Sequence, residues 1–526
     1  MTVPVPVSSG EAPFLSALPV VRLTKAFVTP FRNVVATART CYSSKGIVTD
    51  EQVGEPERFS PLVKSIYEAG HHTTFQHAHF QFAIENVSRH FIWSFLHSHP
   101  FYNSEQVSQR YVTVKPDTMT VPALAEPELG VFRATAEMQF AAYRRLCESL
   151  EGPVEAEFFR RFNRSERMEK RHRATIRKKA QEIARYVLPV GTHAYLYHTV
   201  SAITLLRYWR AAAQLDVPAE TRLVVGEMVR QVLAHDSEYG ITLQEPLDPE
   251  MFPEIGVLAA HADDVGRARA FREEFDAGLE GHWSRLTGYT HGAEQQVASA
   301  VREMLGLCAG DLSDDDAIAL ALDPGRNRLL GESLNLTTVA KLTRALHHAH
   351  YTFRKKISHT ADSQDQRHRM TPASRPVLAA HVDDEPDYIV PELLRHDEAA
   401  MAVYRETMEQ SWEAMGRLRR AGVAAQWTSY LLPNAVSVRF TESSDLLNLR
   451  HKHQMRLCYN AQEEIWRASL DEALQIRAVQ PALGRYLLPP CTLRAMARSK
   501  PICPEGPRYC GVAVWKKDAN EYERVI

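Results

Sequence analysis

A chain of 526 residues is far longer than one compact core needs, so two or more domains are expected. Hydrophobic residues at 44% and charged residues at 24% are ordinary for globular proteins and exclude a largely disordered chain. A net charge of −2 gives no overall pull toward nucleic acid or anionic membrane, and no apolar run reaches the length of a membrane span.

The first residues, MTVPVPVSSGEAPF, lack the basic and apolar regions of a secretory signal, so a cytoplasmic location is expected. Val20 to Val28, His79 to Ile84 and Arg110 to Val114 have the aromatic and β-branched alternation of strands. Around them run His71-His72-Thr73-Thr74-Phe75, Val87-Ser88 and His97-Ser98-His99. Asn103 to Val112 (NSEQVSQRYV) gathers a hydroxyl, an amide, a carboxylate and an arginine within a few residues. The planar fork of Arg110 suits phosphate and Ser108 can complete the hydrogen bonds; an ordinary loop is the alternative. Val131, Met138, Ala142, Leu146 and Leu150 recur as the buried stripe of a helix. The basic stretch Phe159 to Lys179 reads as a solvated helix face with Glu166 and Glu169 as partners, or as an attractor of polyanionic substrates. Nucleic acid is the weaker reading, since no aromatic residue interleaves with the charges after Phe162. Arg185-Tyr186-Val187-Leu188-Pro189, a helix through Leu205-Leu206 and Ala213 to Val217 follow.

The acidic run Asp311 to Asp316 reads as surface or as a helix start after Leu312, and Leu322–Gly331 and Asp383–Pro391 as loops. His347 to Tyr351, Ile357-Ser358, Arg367-His368-Arg369 and Ser374-Arg375 come next. Met401, Tyr404, Met408, Trp412, Met415 and Leu418 then mark a long amphipathic helix. Ser429 to Pro433, a helix through Leu446-Leu447 and Ala461 to Ile465 complete the series. The parts keep one order in both halves, which identifies an internal repeat. The expected domains are 15–250, 280–480 and a cysteine-containing tail, 481–526. Arg367-His368-Arg369 suits a diphosphate, and a continuous helix would set Arg456, Asn460 and Glu464 on one face.

This combination resembles the flavin-dependent thymidylate synthases. Ala38 to Ser44, HHTTFQH, SEQVSQRYV and ARYVLP carry the likeness in the first half; QRHR at 366–369 and RLCYNAQEEI at 456–465 carry it in the second. The resemblance implies helix-rich α+β (α/β) units in tandem and a reductive methylation of dUMP to dTMP. Methylene-tetrahydrofolate would supply the carbon, and FAD, reduced by NADPH, the hydride. Because the family's tetramers share active sites between subunits, a homodimer acting as a pseudo-tetramer is implied. Ser108 and Arg110 match the dUMP loop, and Glu105 or Gln106 its glutamate, because the loop is one residue longer here. Arg185 matches a further dUMP contact. His71, Thr73, Arg367, His368 and Arg369 match flavin contacts, with His99 and Asn460 placed beside them. Arg456 matches the arginine that would favour an ionised pyrimidine, so Arg456 and Ser108 are the expected catalytic groups.

The halves depart from the pattern in complementary ways. The first has His97-Ser98-His99 for Arg-His-Arg and, counting back from Gln214, Tyr208 for the activating arginine. The second has Ala349 for the threonine, Ser429 for the arginine before Leu-Pro, and a shortened loop. One composite site drawing on both halves is therefore expected; a non-catalytic nucleotide- or flavin-binding homologue is the alternative. Pro490-Cys491-Thr492 lacks the histidine of cysteine-dependent thymidylate synthases, and no G-x-G-x-x-G follows a strand. The seven scattered cysteines suit free thiols in a reducing compartment. Cys491, Cys503 and Cys510 lie close in sequence, but their irregular spacing and missing fourth ligand favour thiols in a packed loop over a metal site.

Overall fold

The computed structural model describes residues 13–97, 99–115, 118–161, 169–214, 216–261, 264 and 266–526. Residues 162–168 of the basic stretch, with Glu166, lie outside it, as do Ser98 and Leu215. Helices dominate and every strand pairs antiparallel, so the fold is α+β. The chain divides into two compact units. The first comprises Met1–Met138, Pro189–Val265 and Glu413–Leu432, and the second Gln139–Leu188, Gly266–Trp412 and Pro433–Ile526. Each unit therefore contains a segment from the other half of the sequence.

In the first unit, β1 (Val20–Ala26), β2 (His79–Ser88), β3 (Tyr102–Gln106) and β4 (His193–Ser201) form a sheet in the order β1-β2-β4-β3. The alternation read in β2 has its expected consequence, since Phe80, Phe82 and Ile84 are fully buried. Their burial contributes about 2 kcal/mol each. A bulge between Ile84 and Val87 includes Asn86 at φ 56° and turns β2 into α1 (Arg89–His97). Along the chain, helices α2 (Glu128–Ser149) and α3 (Glu169–Ala184) come next, and α3 belongs to the second unit. Helix α4 (Ala202–Arg210) follows β4, and α5 (Pro218–His235) buries Val224, Val225, Met228 and Val232.

The second unit repeats this plan. β5 (Ser284–Tyr289), β6 (His350–Ser358), β7 (Ala373–Ser374) and β8 (Ser437–Asp445) are ordered β5-β6-β8-β7. β6 leads into α6 (His359–Asp365), and β8 into α8 (Leu446–Arg456) and α9 (Glu463–Val479). Val297, Val301, Ile318, Leu322, Tyr351 and Phe353 belong to its core. Helix α7 (Glu398–Arg420) carries the predicted stripe, with Tyr404, Met408, Trp412, Met415 and Leu418 buried. Ser313 caps the helix that begins at Asp314 by accepting from Asp316 N, so the acidic run is a helix start.

Two expectations are corrected. Arg110 to Val114 is not a strand: Ser108 O accepts from Tyr111 N at 3.2 Å and Val112 N at 3.0 Å, and this turn meets the backbone's needs locally. Arg456 to Glu464 is not one helix. α8 stops at Arg456, Ala461 N donates to Cys458 O at 2.9 Å, and α9 starts at Glu463, so helical periodicity does not relate Arg456, Asn460 and Glu464.

Candidate functional site

The same buried carboxylate motif stands in both units. In the first, Ser88 donates from N and Oγ to the two oxygens of Glu220, each at 2.7 Å, and Tyr430 Oη donates to Glu220 at 2.8 Å. In the second, Ser358 donates from N and Oγ to Glu464 at 2.5 and 2.6 Å, and Tyr186 Oη donates to it as well. The exchanged segments explain the arrangement: each tyrosine comes from the other half's Leu-Pro element. Burial raises both carboxyls, Glu220 to about 7, and the serine and tyrosine donors oppose it.

This motif fixes the register of the repeat. Helices α4 and α8 start at Ala202 and Leu446, and Glu220 and Glu464 follow at equal intervals. Ala212, and not Tyr208, therefore occupies the position of Arg456. The count from Gln214 failed because the resemblance of Ala213-Gln214 to Ala461-Gln462 is out of step with the fold.

In the second unit, the network reaches several predicted site residues. Gln462 donates to Tyr186 Oη and accepts from Gln364 Nε2, while Arg456 Nη2 donates to Gln364 O at 2.5 Å. Arg185 is buried, donates to Glu182 O at 3.3 Å, and lies close enough for its charge to favour the ionised form of Glu464. Burial, followed by the charge of Arg456, holds His368 neutral well below the usual imidazole range. Arg185, His368 and Arg456 thus share one neighbourhood. Arg367 is exposed and Arg369 partly so, just beyond the end of α6. Asn460 Nδ2 donates to Arg508 O at 2.8 Å in the tail.

A fully buried charge cluster lies beneath these groups. Lys355 Nζ is 2.9 Å from Asp365, 3.2 Å from Glu442 and 2.7 Å from Glu472. Lys452 Nζ pairs with Glu442 and lies 3.2 Å from Asp365, while His453 is 3.0 Å from Glu472. Burial opposes the Lys355 charge, but the three carboxylates outweigh it and raise the ammonium above its ordinary range. Asp365 ends α6 immediately before the Arg367-His368-Arg369 motif, so the cluster anchors the segment that carries it. Arg375 is likewise held, 2.9 Å from buried Asp362.

The first unit places apolar and aromatic groups at the corresponding points: Ile84 for Lys355, Phe95 for Asp365, His198 for Glu442, Tyr208 for Lys452 and Met228 for Glu472. The polar remainder forms a chain. Phe101 N donates to His99 Nδ1 at 2.8 Å, His99 Nε2 is 2.6 Å from Tyr208 Oη, and His198 Nε2 is 3.2 Å from the same oxygen. Burial lowers His99 to about 4 and His198 to about 3, so both are neutral at pH 7.

The predicted nucleotide loop also lies in the first unit. Ser108 Oγ accepts from Arg110 N at 3.2 Å, and Arg110 is 5.3 Å from the Tyr111 ring centre. Gln106 Oε1 accepts from Arg89 Nη1 at 2.9 Å, and Arg89 also donates to Val107 O, so Arg89 braces the loop from the start of α1. Glu105, His71 and Thr73 are exposed. The second unit therefore brings together Arg185, His368 and Arg456, while Ser108, Arg110, His71, Thr73 and His99 belong to the first.

The sequence reading missed Arg89, Glu220, Tyr186, Gln364 and Tyr430. The signal for Arg89 was its position directly after Val87-Ser88. The tyrosines were signalled by their shared place before Leu-Pro in both halves. Among the described residues, no group of three or more His, Cys, Asp or Glu side chains is arranged to hold a metal ion, and no helix is long and apolar enough to cross a membrane.

The family model described as thymidylate synthase complementing protein matches residues 22–236 and again 285–482. The flavin-dependent thymidylate synthase of Clostridium tetani is 26% identical over 215 residues, 40% of this chain and 81% of its own. That of Geobacter sulfurreducens is 28% identical over 172 residues, 32% of this chain and 71% of its own. A crystal structure of the UMP/dUMP methylase PolB from Streptomyces cacaoi, bound with 5-Br dUMP, aligns with a TM-score of 0.32 at 18% identity, over 42% of this chain and 93% of that one. With a match in each half that together take in more than half of its length, the chain belongs to the flavin-dependent thymidylate synthase family, as two tandem members in one polypeptide.

Proposed function

We propose that the chain methylates dUMP reductively to dTMP, with methylene-tetrahydrofolate as the carbon donor and NADPH as the reductant. The observation that carries this reading is the polar network of the second unit, in which Arg185, His368 and Arg456, each on a family motif position, join the Tyr186–Glu464–Ser358 motif. Arg456, fixed by Gln364, would favour negative charge developing on the pyrimidine. Ser108 and Arg110 would bind the phosphate, with Glu105 or Gln106 and Arg185 as further nucleotide contacts.

The second unit's motif fits FAD. Arg367 and Arg369 offer two guanidiniums to a diphosphate from a segment anchored by buried Asp365. The corresponding His99 of the first unit is neutral and bonded to Tyr208, so it does not fit a diphosphate. When bound, FAD supplies the hydride. His71, Thr73 and Asn460 are proposed as its remaining contacts, and His99 is excluded because its imidazole is bonded to Tyr208. The nucleotide loop survives in one half and the flavin arginines in the other, which supports a composite site and a homodimer acting as a pseudo-tetramer.

The test is the absorbance spectrum of the purified protein, followed by anaerobic reduction and addition of dUMP with methylene-tetrahydrofolate. Reoxidation of bound flavin with dTMP formation is expected. Flavin that binds but yields no dTMP would overturn the synthase reading in favour of a nucleotide- or flavin-binding homologue.

A further inference from the structure

The first unit contains a cleft of about 200 Å³ lined by Phe95, His99, Phe101, Arg207, Tyr208 and Gln214, among others. Of its lining residues, Phe95 and Tyr208 stand where the second unit has buried Asp365 and Lys452, and His99 stands where it has Arg369. For scale, a cavity of ~150 Å³ suffices for a benzene ring. Three aromatic rings contribute to its wall: Phe95 and Tyr208 are buried, and Phe101 is 63% exposed. Phe95 and Tyr208 lie with ring centres 4.4 Å apart.

The polar side of the cleft has a defined hydrogen-bond direction. Phe101 N–H fixes His99 Nδ1 as an acceptor, so Nε2 carries the proton and donates to Tyr208 Oη. Tyr208 then donates to His198 Nε2. The chain is neutral and presents no formal charge to a ligand, while His198 Nδ1, which then carries that ring's proton, is buried without a partner among the described residues. Gln214 Nε2 is engaged by Glu254 Oε1 at 2.9 Å. Arg207 differs: its exposed guanidinium makes no hydrogen bond or ion pair with the described residues, and its charge is felt at His99.

From this cleft we infer that the first unit binds a planar aromatic monoanion, whose ring packs against Phe101 and the contacting Phe95–Tyr208 pair and whose anionic group pairs with Arg207. The aromatic wall supplies stacking and apolar burial, and a single guanidinium at the rim supplies one charge-assisted contact. A diphosphate would find one cation where the second unit's motif has two. The inference does not rest on the methylation reading, because its test measures binding and not turnover.

Isothermal titration of the full chain with quinoline-2-carboxylate and with quinoline, which lacks only the carboxylate, tests it. The carboxylate should bind saturably and about tenfold more tightly than quinoline, the worth of one charge-assisted contact at an exposed rim. Arg207→Gln should erase that difference while leaving quinoline binding unchanged. Ala211→Trp, which fills the cleft from its own lining, should abolish both. Arg456→Gln, in the second unit, should leave both intact. Circular dichroism and melting of each variant establish that it is folded. Absence of saturable binding below about 10 mM, retention of binding in folded Ala211→Trp, or loss through Arg456→Gln alone would each overturn the inference.

Discussion

Tyr186→Phe should destabilise the second unit more than Tyr430→Phe destabilises the first, although the two tyrosines hold the same place in the repeat. Tyr186 Oη donates to Glu464 and also accepts from Gln462 Nε2, whereas Tyr430 Oη donates to Glu220. Removing the Tyr430 hydroxyl takes one of three donors from a buried carboxylate, at a cost of about 2 kcal/mol. Removing the Tyr186 hydroxyl does the same and also strips a buried amide of its acceptor. Because the losses share one network they add incompletely, giving about 3 kcal/mol. Two units in one chain need not unfold together, so hydrogen exchange followed by peptide is a better assay than one melting midpoint. Protection of β6 and α6 should fall about a hundredfold in Tyr186→Phe, and that of β2 and α1 about thirtyfold in Tyr430→Phe. A Tyr186→Phe protein whose β6 exchanges within about threefold of the parent would refute this account of the network.

The pH dependence of the first unit should have a definite sign. Burial raises Glu220 from 4.5 to about 7, so its contribution is full at low pH and is lost as pH rises toward 7. Glu220→Gln should remove a decline of about 3 kcal/mol over that window, read from protection of β2 between pH 5 and pH 8. Lys452→Met would leave three buried carboxylates facing Lys355, and should cost about 3–5 kcal/mol in urea unfolding monitored on second-unit peptides.

The strands and long helices were legible because their signal is local. Phe80, Phe82 and Ile84 alternate, and the stripe from Tyr404 to Leu418 has helical period, so burial follows from spacing. The turn at Ser108–Val112 was misread because β-branched and aromatic residues there suggest a strand, while the carbonyl of Ser108 closes a turn. The break after Arg456 was invisible for a similar reason: nothing in RLCYNAQEEI forbids a helix. The site was legible only where a family motif named a residue. Glu220 escaped notice because its partners, Ser88 and Tyr430, are 132 and 210 residues away, and no local pattern records such a contact.

The two halves show which parts of the fold carry structure and which carry chemistry. Ser88–Glu220–Tyr430 and Ser358–Glu464–Tyr186 match bond for bond, although the two halves differ at His97–His99 against Arg367–Arg369 and at Arg185 against Ser429. A buried carboxylate with three donors loses more if one partner disappears than the motif contributes when complete, and that asymmetry resists piecemeal change. The charge cluster was exchangeable only as a set. Tyr208 in place of Lys452 is tolerable because Ile84 stands for the second lysine, Lys355, while His198 stands for Glu442, Phe95 for Asp365 and Met228 for Glu472. A single replacement among them would leave a buried charge unpaired. The first unit thus holds a neutral histidine–tyrosine chain where the second holds ammonium and carboxylate groups. With that exchange goes the buried anchoring beneath the Arg367–Arg369 segment, whose counterpart now contains His99 bonded to Tyr208. The core and the motif positions therefore differ together between the units: the second has buried charge beneath Arg367 and Arg369, and the first has an aromatic cleft with the Arg207 guanidinium at its rim.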